Sequence, residues 1–247
     1  MRLNLSAGVN CVHYVLSDIH GNERRFRSVM EQIRLQPEDT LYVLGDVIDR
    51  YPGGIRILRE LMKMPNVKML LGNHEYMMLR AVGQPYNADE DVSRSTKDRA
   101  TDLWYYNGGW GTHNHLKHLR KTLREEIYAY LHSLPLNIDV TVNGKTYKLV
   151  HGAPVEEFDP ASRYTDATMH AVWKRLEQSD CFDRGYTLIF GHTPTRHYQD
   201  SDPMAIWYGK NCIGIDCGSG YPDIATDSKQ GRLACLRLED GKVFYSE

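Results

Sequence analysis

Three short apolar runs, at residues 11–21 (CVHYVLSDIHG), 39–50 (DTLYVLGDVIDR) and 66–75 (NVKMLLGNHE), each stop abruptly in a polar cluster. Runs of this length, ended by glycine, aspartate or histidine, read as buried strands that stop at functional turns. Between them, residues 22–35 (NERRFRSVMEQIRL) and 53–64 (GGIRILRELMKM) place apolar side chains three and four apart, with Pro37 and Pro65 just beyond. That spacing predicts two amphipathic helices. The order β-α-β-α-β implies a parallel sheet, in which ligands sit at the carboxyl ends of the strands. Asp18, Asp46 and Asn73 all fall there.

The rhythm breaks at about residues 80–135. A polar stretch (QPYNADEDVSRSTKD) leads into WYYNGGWGT and then an amphipathic segment, LKHLRKTLREEIYAYLHSL. These predict a helical insertion over the sheet, ending in one helix across 116–134, with the aromatics as packing. Strand patterns return in residues 136–152, 186–193, 211–220 and 232–247, with Asn143-Gly144 and Asp240-Gly241 as hairpin turns. The second half is therefore antiparallel or mixed sheet. No linker-like stretch and no repeat of solenoid period divides the chain, so one domain over 1–247 is expected.

Composition narrows the class. Hydrophobic residues at 41% and charged residues at 25% describe a folded globular chain. A net charge of -2 supplies no basic field for nucleic acid or anionic membrane, so neither partner is expected. No run of about 18 apolar residues is present, and the N-terminus lacks the charged start and apolar stretch of a secretory signal. Five cysteines without a C-x-x-C pair suit reduced, buried thiols, with Cys212 and Cys217 in the core, and the cytoplasm is the expected location.

An Asp-x-His at one strand end means little, because a turn aspartate often only caps the next helix. Asp46, Asn73, His151 and His192, however, repeat the placement beside glycine at the ends of apolar runs. Carboxylate, amide and imidazole suit divalent first-row metals, and a two-ion site needs a carboxylate between its two donor groups. The histidines of NHNHLKH (His113, His115, His118) read instead as a solvated helical face.

The segments SDIHG, GDVIDR, GNHE, HGA and GHT, in that order across residues 17–193, resemble the ordered motifs of the phosphoprotein phosphatase family of calcineurin-like metallophosphoesterases, of the bacterial serine/threonine protein phosphatase type. The resemblance implies an α/β fold of two packed mixed β-sheets flanked by helices, a four-layer sandwich. It implies that Asp18 and His20 bind one metal, Asp46 bridges, and Asn73, His151 and His192 bind the second. His74 would donate a proton with Asp49 orienting it, Arg50 would grip the phosphate, and Arg175 in AVWKR is the match for a second phosphate-binding arginine. The cofactor would be two divalent ions, Mn2+ first, with Fe or Zn as alternatives. The chain departs from the family pattern at Ser17, Tyr51 and Ala153, none of them a ligand.

A water shared by two divalent cations loses its proton near neutral pH and can attack phosphorus, while the planar guanidinium of Arg50 suits phosphate oxygens. The expected activity is hydrolysis of phosphomonoesters, foremost phosphoserine and phosphothreonine in proteins, with a phosphorylated protein or small phosphoester as partner. The alternatives are a dinucleoside polyphosphate (diadenosine tetraphosphate) hydrolase, a metallophosphodiesterase and, from a different class, an inactive binding scaffold. In the dinucleoside polyphosphate hydrolases the position matching Asp49 is usually not aspartate. Asp49 and Glu75 thus lean towards the phosphatase branch.

Overall fold

The computed structural model describes residues 11–222 and 231–247. Residues 1–10, on which part of the reading of the N-terminus falls, lie outside them.

The first apolar runs form parallel strands β1 (His13–Leu16), β2 (Thr40–Val43) and β3 (Val67–Met69). They are connected by α1 (Glu23–Ile33) and α2 (Gly54–Leu61). Asn22 starts α1 by accepting the Arg25 N–H through its side chain at 3.2 Å, the usual work of an N-cap asparagine. Phe26, Val29 and Ile33 then fall on one buried face, each contributing about 1.5–3 kcal/mol by leaving water. The helix α3 (Asn73–Ala81) begins directly at the end of β3.

Two mixed five-stranded sheets, flanked by helices, result. The first runs β10-β9-β1-β2-β3, with β9 (Ala234–Arg237) and β10 (Val243–Tyr245) antiparallel. The second runs β4-β5-β6-β8-β7, where β4 (Asn137–Val142) and β5 (Lys145–Val150) form a hairpin. Its turn, Asn143-Gly144, is left-handed at both residues, as a two-residue turn requires. The strands β6 (Thr187–Phe190) and β8 (Cys212–Gly214) continue parallel to β5, and β7 (Trp207–Gly209) closes the edge. Strand alternation sorts the core. Tyr14 and Leu16 join the cluster that holds the helix residues Phe26, Val29 and Leu58, whereas Val15, Leu44, Leu149 and Ile189 of both sheets meet in a second.

Two expectations need correction, the first within the insertion. The single helix over 116–134 is broken into α5 (Trp110–Lys117) and α6 (Lys121–His132), preceded by α4 (Arg94–Tyr106). Arg120 is extended at the break, and Arg124 Nη1 donates to the carbonyls of Leu116 (3.4 Å) and Leu119 (3.3 Å), satisfying ends a continuous helix would not leave free. The expectation of five free thiols is also corrected. Cys181, in the segment after α7 (Ala167–Trp173), is disulfide-bonded to Cys212 of β8, 31 residues on, because that segment packs over the strand; Cys11, Cys217 and Cys235 are free. No described helix is long and apolar enough to cross a membrane.

Candidate metal and phosphate site

The turns after β1, β2, β3, β5 and β6 converge where the carboxyl ends of the parallel strands meet. Nine non-glycine residues among those described have positive φ, and six of them are Asp18, His20, Asp46, Asp49, Arg50 and His192. Such backbone costs about 1–3 kcal/mol per residue and persists only where the surroundings over-determine it. Here the turns tie one another: His20 N–H donates to Asp46 O (2.9 Å), Gly21 N–H to Val47 O (2.8 Å) and His192 N–H to the Asp18 carboxylate (3.0 Å). Gly72 is required by contact, since a Cβ there would stand 2.3 Å from both Asp46 N and Asp46 Oδ1.

The donors of this centre are buried, and the tautomers of His20 and His151 are set from behind. His20 Nδ1 lies 3.3 Å from the Ile48 carbonyl and His151 Nδ1 2.6 Å from that of Leu44, so each donates there and turns the Nε2 lone pair inward. Burial holds both imidazoles below their ordinary pKa. Those lone pairs face other acceptors: His20 Nε2 stands 3.8 Å from Asp18 Oδ1 and 3.7 Å from Asp46 Oδ2, and His151 Nε2 stands 3.4 Å from Asp46 Oδ1 and 2.9 Å from Asn73 Oδ1. Donor atoms sharing one ion at about 2.1 Å lie roughly 3–3.5 Å apart, close to these spacings. Asp46 turns Oδ2 to one group and Oδ1 to the other. His192 adds Nδ1, 2.8 Å from Asn73 Oδ1, and its buried Nε2 has no partner among the described residues.

Charge agrees with geometry. Burial and the neighbouring Asp216 and Asp46 carboxylates push Asp18 well above the usual carboxylate range, and burial brings Asp216 to about 6. For Asp46 the penalty of burial is outweighed by the imidazoles of His151, His74 and His20, which hold it below that range. Three crowded buried acids are relieved by a cation, which inverts the local preference for protonation. The residues therefore fit a pair of divalent ions.

Beside this centre, His74 Nδ1 lies 2.7 Å from Asp49 Oδ2, and His74 Nε2 lies 3.5 Å from Arg50 Nη2 and 3.8 Å from Asp46 Oδ2. Burial lowers the pKa of His74, but Asp46 and then Asp49 outweigh it and leave it raised. His74 shares a ligand-sized radius with His20 and Asp46, yet its Nδ1 is committed to Asp49.

The profile of the calcineurin-like phosphoesterase family matches residues 14–214, most of the chain. The chain belongs to this family. Among curated proteins it is similar to the symmetrical bis(5'-nucleosyl)-tetraphosphatases of Erwinia tasmaniensis (33% identical over 93 residues, 36% of this chain and 31% of that protein) and Cronobacter sakazakii (32% identical over 93 residues, 36% and 30%). The chain thus spans under a third of the length of these relatives. Among solved structures it is similar in fold to a putative diadenosine tetraphosphatase (TM-score 0.57, 18% identity, 96% of this chain and 94% of that one). It is also similar to a protein serine/threonine phosphatase from Saccharomyces cerevisiae (TM-score 0.53, 14% identity, 95% and 78%).

In this calcineurin-like phosphoesterase the six expected metal ligands come together, as do His74, Asp49 and Arg50. Arg175 is exposed just beyond α7, near enough for its charge to depress the pKa of His192 and Asp216, without a direct bond to the site among the described residues. The departures from the family pattern find local partners. Ser17 Oγ donates to Asp18 Oδ2, Tyr51 OH donates to the Tyr221 carbonyl at 2.9 Å, and Ala153 is fully buried against the segment after α7. Three further residues were given no role in the site by the sequence. The carboxylate of Glu75 accepts four backbone N–H groups, from Asp46 (2.9 Å), Val47 (2.9 Å), Ile48 (3.2 Å) and Gly72 (3.2 Å). Asp216 follows β8 at a strand end, two residues before Gly218, a looser form of the signal that marked the ligands beside glycine. Trp104, read as packing, donates its indole N–H to Asp49 Oδ2 at 2.8 Å. The NHNHLKH histidines form no metal group among the described residues; His113 bonds Tyr105 OH.

Proposed function

We propose that this calcineurin-like phosphoesterase hydrolyses phosphomonoesters, with phosphoserine and phosphothreonine in proteins as its substrates. The single observation that carries the reading is the 2.7 Å bond between His74 Nδ1 and Asp49 Oδ2, which leaves Nε2 facing Arg50 Nη2 at 3.5 Å. A serine or threonine alkoxide is a poor leaving group and needs a proton as the P–O bond breaks; His74 Nε2 supplies it, oriented by Asp49. A nucleoside polyphosphate departs as an anion already stable at neutral pH, for which such a donor does little.

Asp18, His20, Asp46, Asn73, His151 and His192 would hold two divalent ions, Mn2+ first among them. The ions would neutralise phosphate charge and lower the pKa of water at the site. Arg50 grips the phosphate oxygens with a guanidinium that stays charged throughout, and Arg175 contributes charge near His192 and Asp216. The second reading, hydrolysis of dinucleoside polyphosphates, is favoured by the names of the curated relatives.

The test is a comparison of kcat/KM for a phosphoserine peptide panel, p-nitrophenyl phosphate and diadenosine tetraphosphate with Mn2+-loaded protein, repeated with His74→Asn. Phosphopeptides should be the better substrates, and His74→Asn should cost about 10² to 10⁴-fold on them and far less on p-nitrophenyl phosphate. Faster turnover of diadenosine tetraphosphate, with no leaving-group selectivity in the variant, would overturn the reading.

A further inference from the structure

The insertion does more than pack against α2 and α3. It touches the Asp49-Arg50 dipeptide, left-handed at both residues (φ 73° and 65°), at three points. Gly108 O accepts the Arg50 N–H at 3.2 Å, Thr112 Oγ1 accepts the Asp49 N–H at 3.2 Å, and Trp104 Nε1–H donates to Asp49 Oδ2 at 2.8 Å. The last contact falls on the same oxygen that receives His74 Nδ1, while Asp49 Oδ1 has no partner among the described residues. Two bonds through one atom therefore set the rotation of a fully buried carboxylate, and the indole supplies one of them. The indole itself is fixed: Trp104 is wholly buried, its ring tilts against His113 at 5.2 Å, and Gly109 leaves the space it needs, since a Cβ there would lie 2.2 Å from Nε1.

We infer that Trp104 is a positioning residue of the proton-delivery pair, holding Asp49 so that the imidazole of His74 keeps its Nε2 directed at the departing oxygen. This rests on the proposed role of His74. Trp104 donates a hydrogen bond throughout and exchanges no proton itself. The insertion is thereby part of the active site, joined to it 55 residues away in sequence.

The experiment measures kcat and KM for Trp104→Phe, Asp49→Asn, the double variant and His74→Asn, on a phosphoserine peptide and on p-nitrophenyl phosphate, with metal content determined for each. Trp104→Phe keeps most of the ring volume and removes the donor. It should lower kcat on the phosphopeptide roughly tenfold, the scale of one charge-assisted hydrogen bond. Loss on p-nitrophenyl phosphate should be much smaller, with KM and metal content held. Adding it to Asp49→Asn should cost less than about twofold more, because the bond it removes is already impaired. If Trp104→Phe does not fold, Gly109→Ala, which displaces the indole nitrogen, should give the same selectivity. Equal loss on both substrates, or full additivity with Asp49→Asn, would reduce Trp104 to a structural role. If His74→Asn is itself unselective, the proton-donor reading fails first and this inference falls with it.

Discussion

Glu75→Gln tests how the turn that carries Asp46 is held. The wild-type carboxylate is completely buried and both oxygens are used: Oε2 accepts from Asp46 and Gly72, and Oε1 from Val47 and Ile48. Burial and the Asp46 charge push Glu75 up to about 7, and the backbone donors from Asp46 and Ile48 oppose them. Glutamine has nearly the same shape but replaces one oxygen with NH2, so whichever way it turns, two amides meet a donor. Leaving a buried donor unmet costs about 1–3 kcal/mol. Two such losses, less the relief of no longer burying a charge, come to roughly 2–4 kcal/mol. At about 2–4 °C per kcal/mol for a chain of this size, Tm should fall by roughly 5–15 °C. Since Asp46 loses its anchor when the Oε2 side is replaced, metal affinity should fall about tenfold or more. Thermal melts followed by circular dichroism and elemental analysis after dialysis are the assays. A variant that melts within about 2 °C of wild type and keeps its metal would refute the reasoning, because the four bonds would then carry neither stability nor geometry.

The other perturbations are sharper. Asp46→Asn should weaken both metals, whereas His20→Ala should weaken chiefly one, as read by elemental analysis after exhaustive dialysis; two retained metals with full activity in Asp46→Asn would remove the bridge. Arg50→Ala should raise KM at least about threefold, about 0.65 kcal/mol of lost phosphate binding, and steady-state kinetics check it. Gly72→Ala should destabilise the protein and release metal together, because its Cβ would stand 2.3 Å from Asp46 N and Oδ1; unchanged melting and metal content would mean that the turn can yield. Chelation should lower Tm, by about 2.7 kcal/mol of stability if the metal had been present at 100 times its Kd.

The strands β1, β2 and β3 were legible because a buried parallel strand is a short apolar run, and its end is where a sheet of this kind accepts chemistry. Asp18, Asp46 and Asn73 could be placed at one edge from that pattern alone. Asp216 carried a weaker form of the same signal, standing after the apolar run of β8 in IDCG but not beside glycine. What periodicity does not carry is the partner. It marks the buried face of α4 without saying that Trp104 meets Asp49, and it treats Glu75 as one more helical residue although its acceptors serve the preceding turns. The break between α5 and α6 was hidden for a related reason: the apolar spacing runs on through it, and the side chain that satisfies the exposed carbonyls, Arg124, lies beyond it. Cys181 and Cys212 meet only through the path of the segment after α7, which no local pattern specifies.

The six left-handed residues at the site connect these points. At about 1 kcal/mol or more each, their backbone strain is comparable to the whole net stability of an ordinary domain, about 5–15 kcal/mol. It cannot be supported by any one turn. Asp18 N–H is held by Gly45 O at 3.2 Å, His20 N–H by Asp46 O at 2.9 Å, Arg50 N–H by Gly108 O at 3.2 Å and His192 N–H by the Asp18 carboxylate at 3.0 Å, so each turn is braced by a different segment. Relaxing one residue to ordinary backbone would swing its side chain away from the centre and free the next. The ligands and the Asp49–His74 pair are therefore positioned by a single interlocked set of loops. A change far along the chain, in the insertion or after β6, reaches the chemistry through backbone bonds before it touches any ligand.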